Sequence, residues 1–174
     1  DAPRLLPVMP RLSIVIVSYN SKRDLEACLG SLTSLPPQIT HEIVLVDNAS
    51  HDGSAEMAAA EFPRAILIKN SENRGFSAAN NQAIRLATGR LILLLNYDVN
   101  IARDNFDKMS AYMDNDHTVG IAGCKVIKPD GQLDLACRRS FPNLANAFFR
   151  ITGLSFLFPR SRLETCSPSQ NYRA

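Results

Sequence analysis

The sequence predicts an α/β fold: a mostly parallel central sheet with helices on both faces. Three observations point there. Short apolar runs rich in Val, Ile and Leu alternate with segments of helical periodicity. The links between them are short, as strand–helix–strand units require. The runs are unbroken rather than alternating, which marks strands covered on both sides.

The elements follow in order. LSIVIVS, Leu12 to Ser18, is a β-branched run of strand length. Next, Leu25, Cys28, Leu29 and Leu32 fall at helical spacing behind a Ser21/Asp24 capping-box spacing, and Pro36-Pro37 ends that helix. EIVLVD, Glu42 to Asp47, is the second strand. HDGSAEMAAAEF is an Ala-rich helix stopped before Pro63. AILIK, Ala65 to Lys69, is the third strand. NSENRGFSAANNQAIRLATG reads as a loop and a helix, with Gly89 as its C′ residue. Leu91 to Leu95 is the fourth strand, expected to be buried on both faces. Asp104 to Asn115 reads as a helix and VGIAGCKVI as a strand. Pro129-Asp130-Gly131 marks a hairpin turn returning through LDLACRR.

After Arg138 the pattern fades. The apolar stretch from Ala145 to Phe158 is read as a helix over the sheet, a membrane-facing segment or an orphaned piece of a larger domain; LETCSPSQNYRA reads as a tail. The expected organisation is a flexible lead-in over 1–11, a ligand-binding part over 12–140 and a partial C-terminal segment over 141–174.

Composition excludes several classes. A chain of 174 residues buries roughly two-thirds of its unfolded surface, enough for a core without staples. Net charge of +2, with no dense basic run in the first hundred residues, argues against nucleic-acid binding. The four cysteines, Cys28, Cys124, Cys137 and Cys166, show no C-x-x-C spacing; they suit free thiols in a reducing compartment rather than a zinc site. No signal peptide or span of ~20 apolar residues is apparent, so action in the cytoplasm is expected. The sequence lacks G-x-G-x-x-G, a P-loop and G-x-S-x-G, and His41, His51 and His117 fall in expected loops.

In open parallel sheets, ligands bind beyond the carboxyl ends of the strands. Those ends are polar here: Ser18-Tyr19-Asn20, Asp47-Asn48-Ala49-Ser50 and Asn96-Tyr97-Asp98. Such residues also serve as ordinary strand-to-helix loops, because they cap helices and tolerate turns. Three such ends on one rim, with an Asn-rich helix between them, favour a site.

SIVIVSYN, VDNASHDGS, NRGFSAANNQAI…ATGR and LILLLNYDV, in this order, resemble the inverting glycosyltransferases of family 2. They are most similar to the rhamnosyltransferase-like branch that builds bacterial surface polysaccharides in the cell envelope. The resemblance runs from about Leu12 to Arg139. It implies a GT-A fold, a Rossmann-like sandwich, and a nucleoside-diphosphate sugar donor carrying uracil or thymine. It further implies a glycan or glycolipid acceptor, and peripheral contact with the inner face of the membrane is one reading of the late apolar stretch. Val17, Tyr19 and Asn20 would line the nucleobase pocket, and Asp47 and Asn48 would hydrogen-bond base or ribose. Arg74, Gly75, Asn80 and Asn96 would complete the nucleotide side, with Arg74 read either as a phosphate partner or as a solvated side chain. Asp98 would hold Mg²⁺ or Mn²⁺ against the two phosphates.

Two departures accompany the resemblance. Tyr97 stands where the family has Pro or Asp, which loosens the loop. The family's catalytic base, an acidic residue in an E-D type motif, has no counterpart after Arg139. The expected role is therefore the nucleotide-sugar half of a transferase domain, with a non-catalytic nucleotide-sugar or partner-binding module as the alternative. A nucleotidyltransferase is disfavoured, because its Gly-rich opening is missing after the first strand.

Overall fold

The computed structural model describes residues 9–99, 101, 104–128 and 130–134. Its element order is β1 (Leu12–Ser18), α1 (Lys22–Ser34), β2 (His41–Asp47), α2 (Ser54–Glu61), β3 (Ile66–Lys69), α3 (Phe76–Ile84), β4 (Leu91–Asn96) and α4 (Asn105–Asn115). The four strands are all parallel in the order β3-β2-β1-β4. The expected sheet with helices on both faces is therefore present. His41 opens β2 rather than lying in a loop.

Strand β1 lies in the middle, and all seven of its residues are buried. Period-two alternation splits it between two cores. Leu12, Ile14 and Ile16 pack with Leu45 against Leu25, Cys28, Leu29 and Leu32 of α1, Met57 and Ala58 of α2, and Phe106 of α4. Val15 and Val17 pack with Val44 and Val46 beneath Ala79 and Ala83 of α3. The small alanines let α3 sit close to the sheet. Full burial of a Leu or Ile side chain contributes about 1.5–3 kcal/mol, so the first face carries most of the apolar stabilisation.

Strand β4 corrects an expectation. Among the described residues it lies at the sheet edge, and its burial alternates: Ile92 is 45% exposed and Leu94 52%, while Leu91, Leu93 and Leu95 face the first core. An apolar run alone does not distinguish a strand covered twice from one covered once. Gly89 is a second correction. Helix α3 ends at Ile84, so Gly89 is not its C′ residue. A Cβ on Gly89 would lie 2.6 Å from the Ser13 backbone nitrogen, so the glycine is required by the close approach of its backbone to β1. A third concerns α1. Ser21 makes no capping bond; its hydroxyl meets Ser18 Oγ at 2.9 Å, and the first helical amide, Lys22 N, donates instead to Asp52 Oδ2 at 2.8 Å.

Residues up to Thr118 form one compact unit, and those from Val119 onward a second. In the second, the expected strand over 119–127 is absent. A single antiparallel bridge joins Ile127 and Leu133, and the turn holds through Gly131 at φ +81° and the bond from Gly131 N to Lys128 O. The return strand through Arg139, the apolar stretch 145–158 and the tail fall largely or wholly outside the described residues. Cys28 and Cys124 are free thiols. No helix among the described residues is long and apolar enough to cross a membrane.

Candidate functional site

The carboxyl ends of β1, β2 and β4 adjoin because these strands are neighbours in register: Ser18 pairs with Asp47, and Val17 with Asn96. The polar residues after each strand therefore share one rim. Val17 is buried under α3, whereas Tyr19 is 44% exposed at the rim. Asn20 takes a left-handed conformation, φ 48°, and so does Ala49, φ 69°. These two turns face each other and exchange bonds. Asn20 N donates to Ser50 Oγ at 3.0 Å, and His51 N donates to Asn20 Oδ1 at 2.8 Å. The Asn20 side chain thus fastens the first loop to the second.

Asp47 ends β2, and Asn48 follows it in the loop. Asp47 is 3% exposed; its Oδ2 accepts Ser50 N at 3.0 Å, and its Oδ1 is buried without a hydrogen-bond partner among the described residues. Such an orphan is uncommon, because a buried acceptor without a partner costs about 1–3 kcal/mol. Asn48 is 2% exposed, and both its side-chain polar atoms are bonded. Its Nδ2 donates to Asn73 Oδ1 at 2.7 Å, and its Oδ1 accepts Asn70 Nδ2 at 3.0 Å and Arg74 N at 3.1 Å. Asn73 Oδ1 also accepts Gly75 N at 2.9 Å.

Gly75 has φ +78°, the glycine-favouring region, and a Cβ there would meet nothing within 4 Å. Arg74 is exposed, and no ion pair engages its guanidinium among the described residues. Asn80 sits in α3, buried, with its Nδ2 given to Phe76 O at 2.9 Å. Asn96 and Asp98 are exposed at the end of β4. Beneath them lies Cys28, whose Sγ approaches Asn96 O at 3.8 Å. Burial, then the negative charge of Asp98, pushes the Cys28 thiol up to about 11. The thiol is thus a neutral packing group, and Asp98 is close enough for its charge to be felt there. Burial alone would raise the Asp52 carboxyl, but the Ser54 hydroxyl and the Lys22 and Ser54 amides outweigh it and hold it below the usual range.

The structure thus brings Tyr19, Asn20, Asp47 and Asp98 to one rim, with Asn96 at the end of β4. Asn48 and Asn80 are turned inward. Asn70, which the sequence did not single out, belongs with Asn48. The only signal for it was its place directly after the third strand. No group of three His, Cys, Asp or Glu that could hold a metal occurs among the described residues. A single exposed carboxylate still fits Mg²⁺ or Mn²⁺, which commonly take one or two carboxylates and complete their shell with phosphate oxygens and water.

Comparison with known proteins agrees in fold and sequence. The model of the family described as glycosyl transferase family 2 matches residues 13–164. The uncharacterized glycosyltransferase YfnE of Bacillus subtilis is 32% identical over 116 residues, covering 65% of this chain and 29% of its own. The succinoglycan biosynthesis protein ExoO of Rhizobium meliloti is 32% identical over 108 residues, covering 62% and 31%. The mannosyltransferase PcManGT from Pyrobaculum calidifontis, solved in complex with GDP-Man and Mn²⁺, superimposes with a TM-score of 0.62 at 30% identity, covering 71% of this chain and 37% of that one. S. aureus TarS 1-349, solved with UDP-GlcNAc, shares the fold with a TM-score of 0.55 at 24% identity, covering 62% and 32%. The chain spans about a third of the length of these proteins.

Proposed function

The chain belongs to glycosyl transferase family 2, and from that premise we propose that its carboxyl rim holds the nucleoside diphosphate of a sugar donor. The parent protein would pass that sugar to a polysaccharide or glycolipid acceptor with inversion. The observation that carries this reading is the rim itself. Three adjacent strand ends share one sheet edge that carries an exposed carboxylate, Asp98, and just below it a buried acceptor, Asp47 Oδ1, with no hydrogen-bond partner among the described residues.

The residues have distinct tasks. Asp47 Oδ1 accepts a ring N–H of the base, as a uracil, thymine or guanine edge offers. Tyr19 lays its ring beside the base. Arg74 meets the diphosphate, and Gly75 lets it approach the backbone. Asp98, with Asn96 on the same strand end, would hold a divalent cation. The cation, when bound, stabilises the negative charge of the departing nucleoside diphosphate. Relatives solved with GDP-Man and Mn²⁺ and with UDP-GlcNAc support a nucleotide sugar and leave the base to be found.

Titration with UDP, dTDP and GDP, each with and without Mn²⁺, identifies the base. One nucleotide should bind at least about tenfold tighter than the others. Absence of binding to all three contradicts the reading. For transfer, NMR of the product anomer from a protein containing this chain should show inversion; retention would contradict it.

A further inference from the structure

Asn48 combines near-complete burial with bonds at both of its side-chain polar atoms. Its three bonds reach residues 22, 25 and 26 positions away, all in one loop. That loop begins at Asn70, itself fixed by Asn70 N donating to Asp47 O at 2.9 Å. It ends at Gly75, where α3 begins. Within it, the amides of Arg74 and Gly75 point at two side-chain oxygens, Asn48 Oδ1 and Asn73 Oδ1. Asn73 in turn is held by Asn48 Nδ2. One buried amide thus sets the backbone of both residues that precede the helix. The Arg74 guanidinium, by contrast, has no ion pair among the described residues.

We propose that Asn48 is a positioning residue rather than a ligand contact, acting on the donor diphosphate by fixing the 70–75 loop and so aiming Arg74. This rests on the nucleotide-diphosphate reading of the rim. The chemistry suits the task. A carboxamide is both donor and acceptor, so it can hold Asn73 with one end and Asn70 and Arg74 with the other. Threonine or serine lacks the reach, and aspartate lacks the donor. Fixing a long cation's backbone before the ligand arrives removes part of the ordering cost of binding. A diphosphate that met Asn48 directly would have to displace bonds already made in a buried place.

The test uses the full chain and joins two measurements. Hydrogen exchange should show the Arg74 amide losing protection about tenfold in Asn48→Ala, while the amides of β1 and β2 keep theirs. The Asn48→Asp variant retains the acceptor for Arg74 N and should keep most of that protection. Affinity for Mn²⁺ with the nucleoside diphosphate that the wild type binds best is then measured in a cycle of Asn48→Ala and Arg74→Ala. Each single change should weaken binding, and the double variant should be no weaker than about twofold below the worse single. Additive losses with an intact loop would overturn the positioning role and make Asn48 an independent contact. Should Asn48→Ala fail to fold, Asn73→Ala removes the acceptor for Asn48 Nδ2 and Gly75 N from an exposed position, and the same non-additivity with Arg74→Ala is required. A wild type that binds none of UDP, dTDP or GDP would sink the nucleotide reading, and this role with it; additivity in a wild type that binds would sink this role alone.

Discussion

The two edges of the one sheet use the same kinds of residue to opposite ends. At the amino edge every prominent carboxylate described is matched. Glu42 Oε1 accepts Ser13 Oγ at 2.5 Å, Thr88 N at 2.7 Å and Thr88 Oγ1 at 3.0 Å, and Gly89 N donates to Ser13 Oγ at 2.8 Å. Asp114 bridges the guanidinium groups of Arg11 and Arg90. These bonds tie β1, β2, β4, α4 and the approach to β4 into a closed end. At the carboxyl rim, among the described residues, Asp47 Oδ1 has no hydrogen-bond partner, Asp98 is exposed and Arg74 has no ion pair. The lesson is that charge does not mark a site by its presence. What marks it is polar capacity left unused where the fold could have used it.

If that contrast holds, damage at the amino edge costs stability and damage at the rim costs binding. The largest stability effect is expected from Gly89→Ala. Its Cβ would meet Ser13 N at 2.6 Å and Leu12 C at 2.8 Å, both backbone atoms that cannot turn aside. A loss of about 3 kcal/mol follows, seen in thermal melts as a fall of roughly 6–12 °C. A melt unchanged within a degree would show that the edge is loosely packed.

Glu42 comes next. Removing it as Glu42→Ala takes the acceptor from a buried serine and a threonine, at about 2 kcal/mol in urea titrations. Burial alone would raise the Glu42 carboxyl, but the Ser13 hydroxyl, the Thr88 amide and hydroxyl and the Gly89 amide outweigh it and hold it below the usual range. The sign follows from linkage: a lowered folded pKa adds stability that is complete above the unfolded value of about 4.3 and disappears as pH falls through the folded value. Wild type should therefore exceed Glu42→Gln at pH 6, and the gap should close in acid. A gap that widens on acidification would contradict the assignment.

The smallest stability effect is expected at the rim. Asp47→Asn removes a carboxylate with an orphaned oxygen while retaining an acceptor for Ser50 N. Stability should stay within about 1 kcal/mol of wild type, whereas nucleotide affinity should fall at least about tenfold, because the acceptor for the base N–H is altered. Destabilisation as large as that of Glu42→Ala would mean that the two edges do not differ in kind.

Much of this was legible in the sequence, for identifiable reasons. The helical spacing of Leu25, Cys28, Leu29 and Leu32 named four residues that are all buried in α1. The run Leu12–Ser18 named a fully buried strand. Both signals are local periodicities. The one-sided cover of β4 is not legible, because whether a face is covered depends on what packs there, which an apolar run does not encode. The role of Gly89 is not legible either, because a glycine required by close approach reads like one that ends a helix. Within the site, Tyr19, Asn20, Asp47 and Asp98 were placed on one rim by strand order alone. The inward turn of Asn48 onto Asn70, Asn73 and Arg74 was not readable, since it joins residues more than twenty positions apart.

If the rim is a cradle for a diphosphate and its cation, Asp98 should touch the cation. Calorimetric titration of the best-binding nucleoside diphosphate, with and without Mn²⁺, on wild type and Asp98→Asn tests it most directly. Mn²⁺ should tighten binding to wild type at least about tenfold, and Asp98→Asn, with its melting temperature unchanged, should lose that gain. An equal Mn²⁺ enhancement in both proteins would contradict the account.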